Sequence, residues 1–265
     1  MRRTEVAFRR CILEFNRQVN VTMSAPPRRC LVVRCGDPEP EVAQTHGCFV
    51  HWFRHAIDPS VEITAIDPRV DAISPTVLDG VGAVVVSGSP HSVYEQHAWI
   101  NAAEALVREA VNERDLPLLG VCFGHQLLAQ SLGGEVTRNP AGREMGTITV
   151  SLNDHGRDDV LFRKLPQRFR AHATHRDTVM RPPSGARVLA SSDKDRCQSF
   201  RVGRRAWGVQ FHPEITAPIL RGYVRARGAT LRSEGTCPDA VHDGILDSVE
   251  GAHVLSNFIA IAFGD

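Results

Sequence analysis

The chemistry in this chain centres on Gly120-Val121-Cys122-Phe123-Gly124, which follows an apolar run and precedes the helix-like HQLLAQSL. A Gly-x-nucleophile-x-Gly turn between a strand and a helix is a nucleophile elbow. It is so tight that side chains two residues either side of the nucleophile would collide. The nucleophile here would be the Cys122 thiol. The dipole of the following helix favours its thiolate, and the backbone N–H of Phe123 would point at a developing oxyanion. A second oxyanion donor must come from another loop. Gly88, in Ser87-Gly88-Ser89-Pro90, is the best placed because a glycine lets a backbone N–H approach a substrate. A base is supplied by Phe211-His212-Pro213-Glu214 at the end of a strand-like run. His212 and Glu214 are two residues apart and share a face in an extended segment. The carboxylate can therefore orient an imidazole that activates the thiol. This set is suited to acyl transfer through a covalent thioester.

Such a site needs loops that leave one edge of a sheet. Cys30–Cys35 (CLVVRC), Val61–Asp67, Gly82–Val86 (GAVVV) and Leu116–Val121 read as strands bounded by turn residues. Their lack of alternation points to a parallel sheet buried on both faces. Helices are predicted at Thr45–Ala56, His97–Asn112 and Phe123–Leu132. Strand–helix alternation means an open α/β sheet, and such sheets bind ligands beyond the carboxyl ends of their strands. The second half differs. Strands are predicted at 147–152, 169–173, 188–192, 198–202 and 206–211, with few helices between them, so antiparallel additions are expected. Helices are predicted at Ile215–Arg227 and Val254–Phe263, with a polar loop over 228–245.

The GVCFGHQ elbow followed downstream by FHPE resembles the class I (triad) glutamine amidotransferases, in particular their stand-alone, GMP-synthase-like glutaminase domains. The elbow pattern Gly-x-Cys-x-Gly-x-Gln and the His-Pro-Glu pair both match without a departure. SGSPHSVY is similar to that family's oxyanion loop, with Ser89 where many members have a second glycine. AHATHRDT resembles its Ser-His-x-Asp-x-Val stretch, with Thr174 in place of serine. The similarity covers roughly residues 29–228. It implies a flavodoxin-like sheet and a triad of Cys122, His212 and Glu214. It further implies a γ-glutamyl thioester on Cys122, ammonia release and hydrolysis, with the substrate held by Ser89, Gln126, His175 and Asp177. On that resemblance the domain spans 29–265, behind a loosely attached or disordered extension at 1–28. The substrate would be glutamine or a γ-glutamyl compound.

The ammonia acceptor is open. No ATP motif is present, so either a separate synthetase subunit receives the ammonia or the chain acts alone, for instance on γ-glutamyl peptides. A non-catalytic regulatory or binding subunit is the third reading, and the intact triad argues against it.

Bulk properties narrow the remaining classes. A net charge of +1 over 265 residues gives no electrostatic case for nucleic acid or a membrane surface. No apolar run reaches the roughly 18–20 residues of a membrane span. Seven cysteines, an odd number without a Cys-x-x-Cys pair, suggest reduced thiols in a cytoplasmic protein. His51 and His55 have the i, i+4 spacing of a zinc pair, but no third ligand is evident, so neither a metal site nor a cofactor is expected.

Overall fold

The computed structural model describes residues 28–264. The expectation of an N-terminal extension at 1–28 therefore lies, Arg28 apart, outside the described residues. The first half runs β1 (Arg29–Val33), α1 (Pro40–His46), α2 (Phe49–Ala56), β2 (Glu62–Ile66), β3 (Ala83–Val86), α3 (Ala98–Arg108), β4 (Leu118–Val121) and α4 (Phe123–Ser131). The second half adds β5 (Glu135–Arg138), β6 (Glu144–Leu152), α5 (Asp154–Asp158), β7 (Arg168–His175), β8 (Asp177–Arg181), β9 (Arg187–Ser191), β10 (Ser199–Val202) and β11 (Ala206–Val209). It closes with α6 (Ala217–Ala226), α7 (Gly228–Ser233), α8 (Pro238–Asp243) and α9 (Val249–Phe263).

One nine-stranded sheet has the order β2-β1-β3-β4-β11-β10-β9-β6-β7. Its first five strands are parallel and the rest are added antiparallel, which is the flavodoxin-like α/β arrangement with antiparallel additions. The apolar strands explain themselves once both faces are covered. Cys30 and Val32 of β1 join a core with Trp52 and Phe53 of α2, Leu220 of α6 and Phe258 of α9. Leu31 and Val33 turn the other way, to Ile100 and Leu106 of α3 and Leu127 of α4. A strand whose alternate residues both meet helices has no polar face to display.

Several elements depart from the sequence reading. The helix predicted at 45–56 is two helices, broken where Gly47 adopts φ 79°. The Trp52 indole donates to the His46 carbonyl across the break. Segment 228–245 is not a loop. It holds α7 and α8, each six residues long, and buries Leu231 of α7 and Ile245 just after α8. Helices this short are marginal alone, so their docking decides them, and a polar composition hides that. Strand β11 ends at Val209 rather than 211. β5 and β8 form a separate two-stranded antiparallel sheet that sequence periodicity missed. Among the described residues no helix is long and apolar enough to cross a membrane.

Candidate active site

Strand order assembles the site. β3, β4 and β11 are adjacent and parallel, with Val86 opposite Gly120 and Val121 opposite Val209. Their carboxyl ends release three segments at one place: the Gly88 loop, the Cys122 elbow and the His212–Glu214 stretch. The Cys122 N–H donates to the Val209 carbonyl at 2.9 Å, which fastens the elbow to the end of β11 three residues before His212.

Cys122 has φ 53° and ψ −103°, a left-handed conformation that costs a non-glycine residue free energy. The turn is closed too tightly for flanking side chains. A Cβ at Gly120 would lie 2.3 Å from the Gly124 carbonyl oxygen, and one at Gly124 would lie 2.2 Å from the Val86 oxygen. Phe123 opens α4, so its N–H has no intrahelical acceptor. Gly88 lies beside His212 and Cys122: a Cβ there would be 3.1 Å from His212 Cε1 and 3.9 Å from Cys122 Cβ.

His212 is 4% exposed and Glu214 3%. His212 Nδ1 donates to Glu214 Oε1 at 2.7 Å. Its buried Nε2 is free of conventional hydrogen bonds among the described residues and faces the Cys122 sulfur. Burial opposes ionisation of Cys122, but the neighbouring His212, with a lesser contribution from His175, outweighs it and brings the thiol below its ordinary value. Burial likewise opposes charge on His212, and Glu214 and the facing sulfur overcome it, so this imidazole titrates above its ordinary value. The pair thus favours thiolate and imidazolium.

Cys122 and His212 open onto a cleft of about 240 Å³. Ser89, Gln126, His175 and Asp177 also line it. Their bonds show what each is already doing. Ser89 Oγ accepts the His91 N–H. The Gln126 side-chain NH2 is committed to the Asp177 carbonyl (3.0 Å) and Gln210 Oε1 (2.9 Å), so it ties α4 to β8. The Asp177 carboxylate accepts the hydroxyls of Ser92 and Tyr94 and clasps the loop after Gly88. His175 lies between two acceptors, Glu144 Oε2 at 3.0 Å and the Asp177 carbonyl at 2.9 Å. Two acceptors require two N–H groups. Burial opposes that charge, but Glu144 and Asp195 prevail and raise the His175 pKa. Burial is the main cause at its neighbour on the elbow helix: His125, enclosed against Phe200, is pushed down to about 3, with the charge of His175 acting in the same direction.

Sequence reasoning missed the cleft mouth. Arg227 donates to Thr174 Oγ1 (2.8 Å) and Glu39 (2.9 Å) and lies over the Tyr223 ring. These residues come from α6 and the residue that caps it, from β7 and from the residue before α1, so no local pattern could group them. Glu144 was missed for the same reason, since only the β6–β7 pairing sets it opposite His175.

The family model for Glutamine amidotransferase class-I matches residues 34–219. The chain belongs to the class I glutamine amidotransferases and is an enzyme of that type. It is 40% identical over 134 residues to one subunit of the glutamine-hydrolyzing GMP synthase of Sulfolobus acidocaldarius, covering 50% of this chain and 67% of that one. It is 38% identical over 152 residues to the glutamine-hydrolyzing GMP synthase of Aeropyrum pernix. That match takes in 55% of this chain but spans only 28% of the Aeropyrum protein's length. In fold the chain is similar to a glutamine amidotransferase of Thermotoga maritima, with a TM-score of 0.71 at 24% identity, over 90% of this chain and 99% of that one.

Proposed function

We propose that this amidotransferase hydrolyses the side-chain amide of glutamine on Cys122 and delivers the ammonia to a separate synthetase subunit. The observation that carries the reading is the strained elbow. It presents the Cys122 sulfur to His212 Nε2 while Glu214 holds the opposite ring nitrogen. His212 takes the thiol proton. The thiolate attacks the carboxamide carbon, and the N–H groups of Gly88 and Phe123 receive the oxyanion. The imidazolium returns its proton to the departing nitrogen, leaving a γ-glutamyl thioester and ammonia. Water deprotonated by His212 then cleaves the thioester and regenerates the thiol.

The bonds of the cleft support positioning roles for Gln126 and Asp177, which fix β8 and the Gly88 loop. His175 supplies nearby positive charge to the thiolate, and Ser89 lines the substrate path. The Sulfolobus relative is named as one subunit of its GMP synthase, which supports a separate synthetase in the role of acceptor.

Ammonia release from glutamine, compared with Cys122→Ala, tests the reaction. A synthetase subunit that raises this rate and consumes the ammonia supports the partner. Faster turnover of γ-glutamyl dipeptides than of glutamine would replace this reading with a peptide hydrolase.

A further inference from the structure

The loop after Gly88 carries a constellation that the thiol chemistry does not use. Glu95 Oε2 is approached by two imidazoles at once, His91 Nδ1 at 2.6 Å and His97 Nε2 at 3.1 Å. The three donor atoms all lie within 4.8 Å of one another, the one such group of three among the described residues. We infer that His91, Glu95 and His97 form a binding site for a zinc-class divalent transition-metal ion, which fastens the loop presenting Gly88.

The donor set suits that ion. Two imidazoles and one carboxylate are a recurrent three-ligand zinc set with a fourth position for water. At metal–ligand distances of about 2.0–2.1 Å, tetrahedral donors stand roughly 3.3 Å apart. The two measured separations would each open by less than about 1 Å. The side chains are 36%, 32% and 48% exposed for His91, Glu95 and His97, so they have room to move and leave an open face for water. On binding, each ring nitrogen now hydrogen-bonded to Glu95 would offer its lone pair to the metal, and any proton it carries moves to the other nitrogen or to solvent.

The surroundings hold the ligands as a metal site requires. Glu95 Oε1 accepts the Ser92 N–H at 2.9 Å, which leaves Oε2 aimed at the imidazoles. Arg176 stands 3.9 Å from that same Oε1. Trp99 stacks almost parallel to His97 (13°) and packs edge-on to His91. Trp99 in turn packs on Phe123, the residue after Cys122, with ring centroids 5.7 Å apart. An ion here would therefore brace the Gly88 loop against the elbow. The inference stands on these side chains and does not depend on the hydrolytic reading.

The thiol–imidazole pair of the active site could itself capture zinc, so the test uses the full chain carrying Cys122→Ser, stripped with chelator. Zn2+ titrated against a competing indicator should bind saturably at one site per chain. His91→Gln and His97→Gln, at partly exposed side chains, should each weaken that binding by at least about tenfold. A His51→Gln/His55→Gln double variant should not. The Co2+ adduct should lack a thiolate charge-transfer band, and metal should slow hydrogen exchange over residues 88–97. Absence of saturable binding, a thiolate band, or affinity unchanged in both His91→Gln and His97→Gln would overturn the inference.

Discussion

The interior of the sheet and its carboxyl edge treat the same side chain in opposite ways. Cys30 lies within β1, wholly enclosed, and burial pushes its thiol up to about 12. Cys35 and Cys197 are raised by burial as well. Cys122 is also buried, at 7% exposure, yet titrates below its ordinary value. Burial disfavours a thiolate wherever it occurs. What differs at the edge is the partner: His212, held by Glu214, faces that sulfur. Low exposure therefore does not make a cysteine structural, and a reactive thiol is recognised by the charge it faces.

The largest effect should come from removing the edge thiol. Cys122→Ala is expected to lower glutamine turnover by about 10⁴-fold or more, as loss of a triad nucleophile does. Ammonia release measures this, and substantial residual turnover would end the contrast. Next, His212→Ala should cost about 10³-fold in turnover, within the range of general acid–base groups. The same variant should alter the pH dependence of alkylation. With His212 present, iodoacetamide should still react rapidly below the ordinary thiol pKa near 8.5. The rate should fall only when the lowered thiol finally protonates. Without His212, burial is less opposed and the alkylation profile should shift to higher pH.

A smaller effect separates geometry from charge. Gly124→Ala places a methyl against the Val86 carbonyl and should destabilise the fold by about 1–3 kcal/mol, the usual cost of overpacking. Denaturant midpoints measure it, and an unchanged midpoint would show that the elbow can relax. The smallest effect belongs to the interior. Cys30→Ala should cost only about 1 kcal/mol of stability, since it removes a small buried group, and should leave turnover intact. Turnover lost without lost stability would mean that the two regions are not independent.

How far the site was legible depended on the range of each cause. The elbow could be read because its requirements are local. Gly120 and Gly124 are excluded from bearing side chains by atoms that the turn itself brings close, and Cys122 lies at their centre. His212 and Glu214 could be read because two residues of spacing suffice to put an imidazole beside a carboxylate. Gln126 shows the limit. Its place on the first turn of α4 is local, but the direction of its amide depends on Gln210 and on β8, which lie 84 and 51 residues away. The split at Gly47 was also local and was lost because hydrophobic periodicity continues across it. The short helices α7 and α8 were not local at all, since tertiary docking holds them.

By itself, the sequence determined that a thiol sits on a sharp strand-to-helix turn, that an imidazole has a carboxylate beside it, and that strands buried on both faces must form an α/β sheet. These follow from sterics and periodicity within a few residues. Only the tertiary structure decided that β4 and β11 are neighbours in register, which brings residues 122 and 212 to one edge. It also settled which polar groups around the cleft are already committed to one another, because those bonds join segments whose separation along the chain carries no information about distance in space.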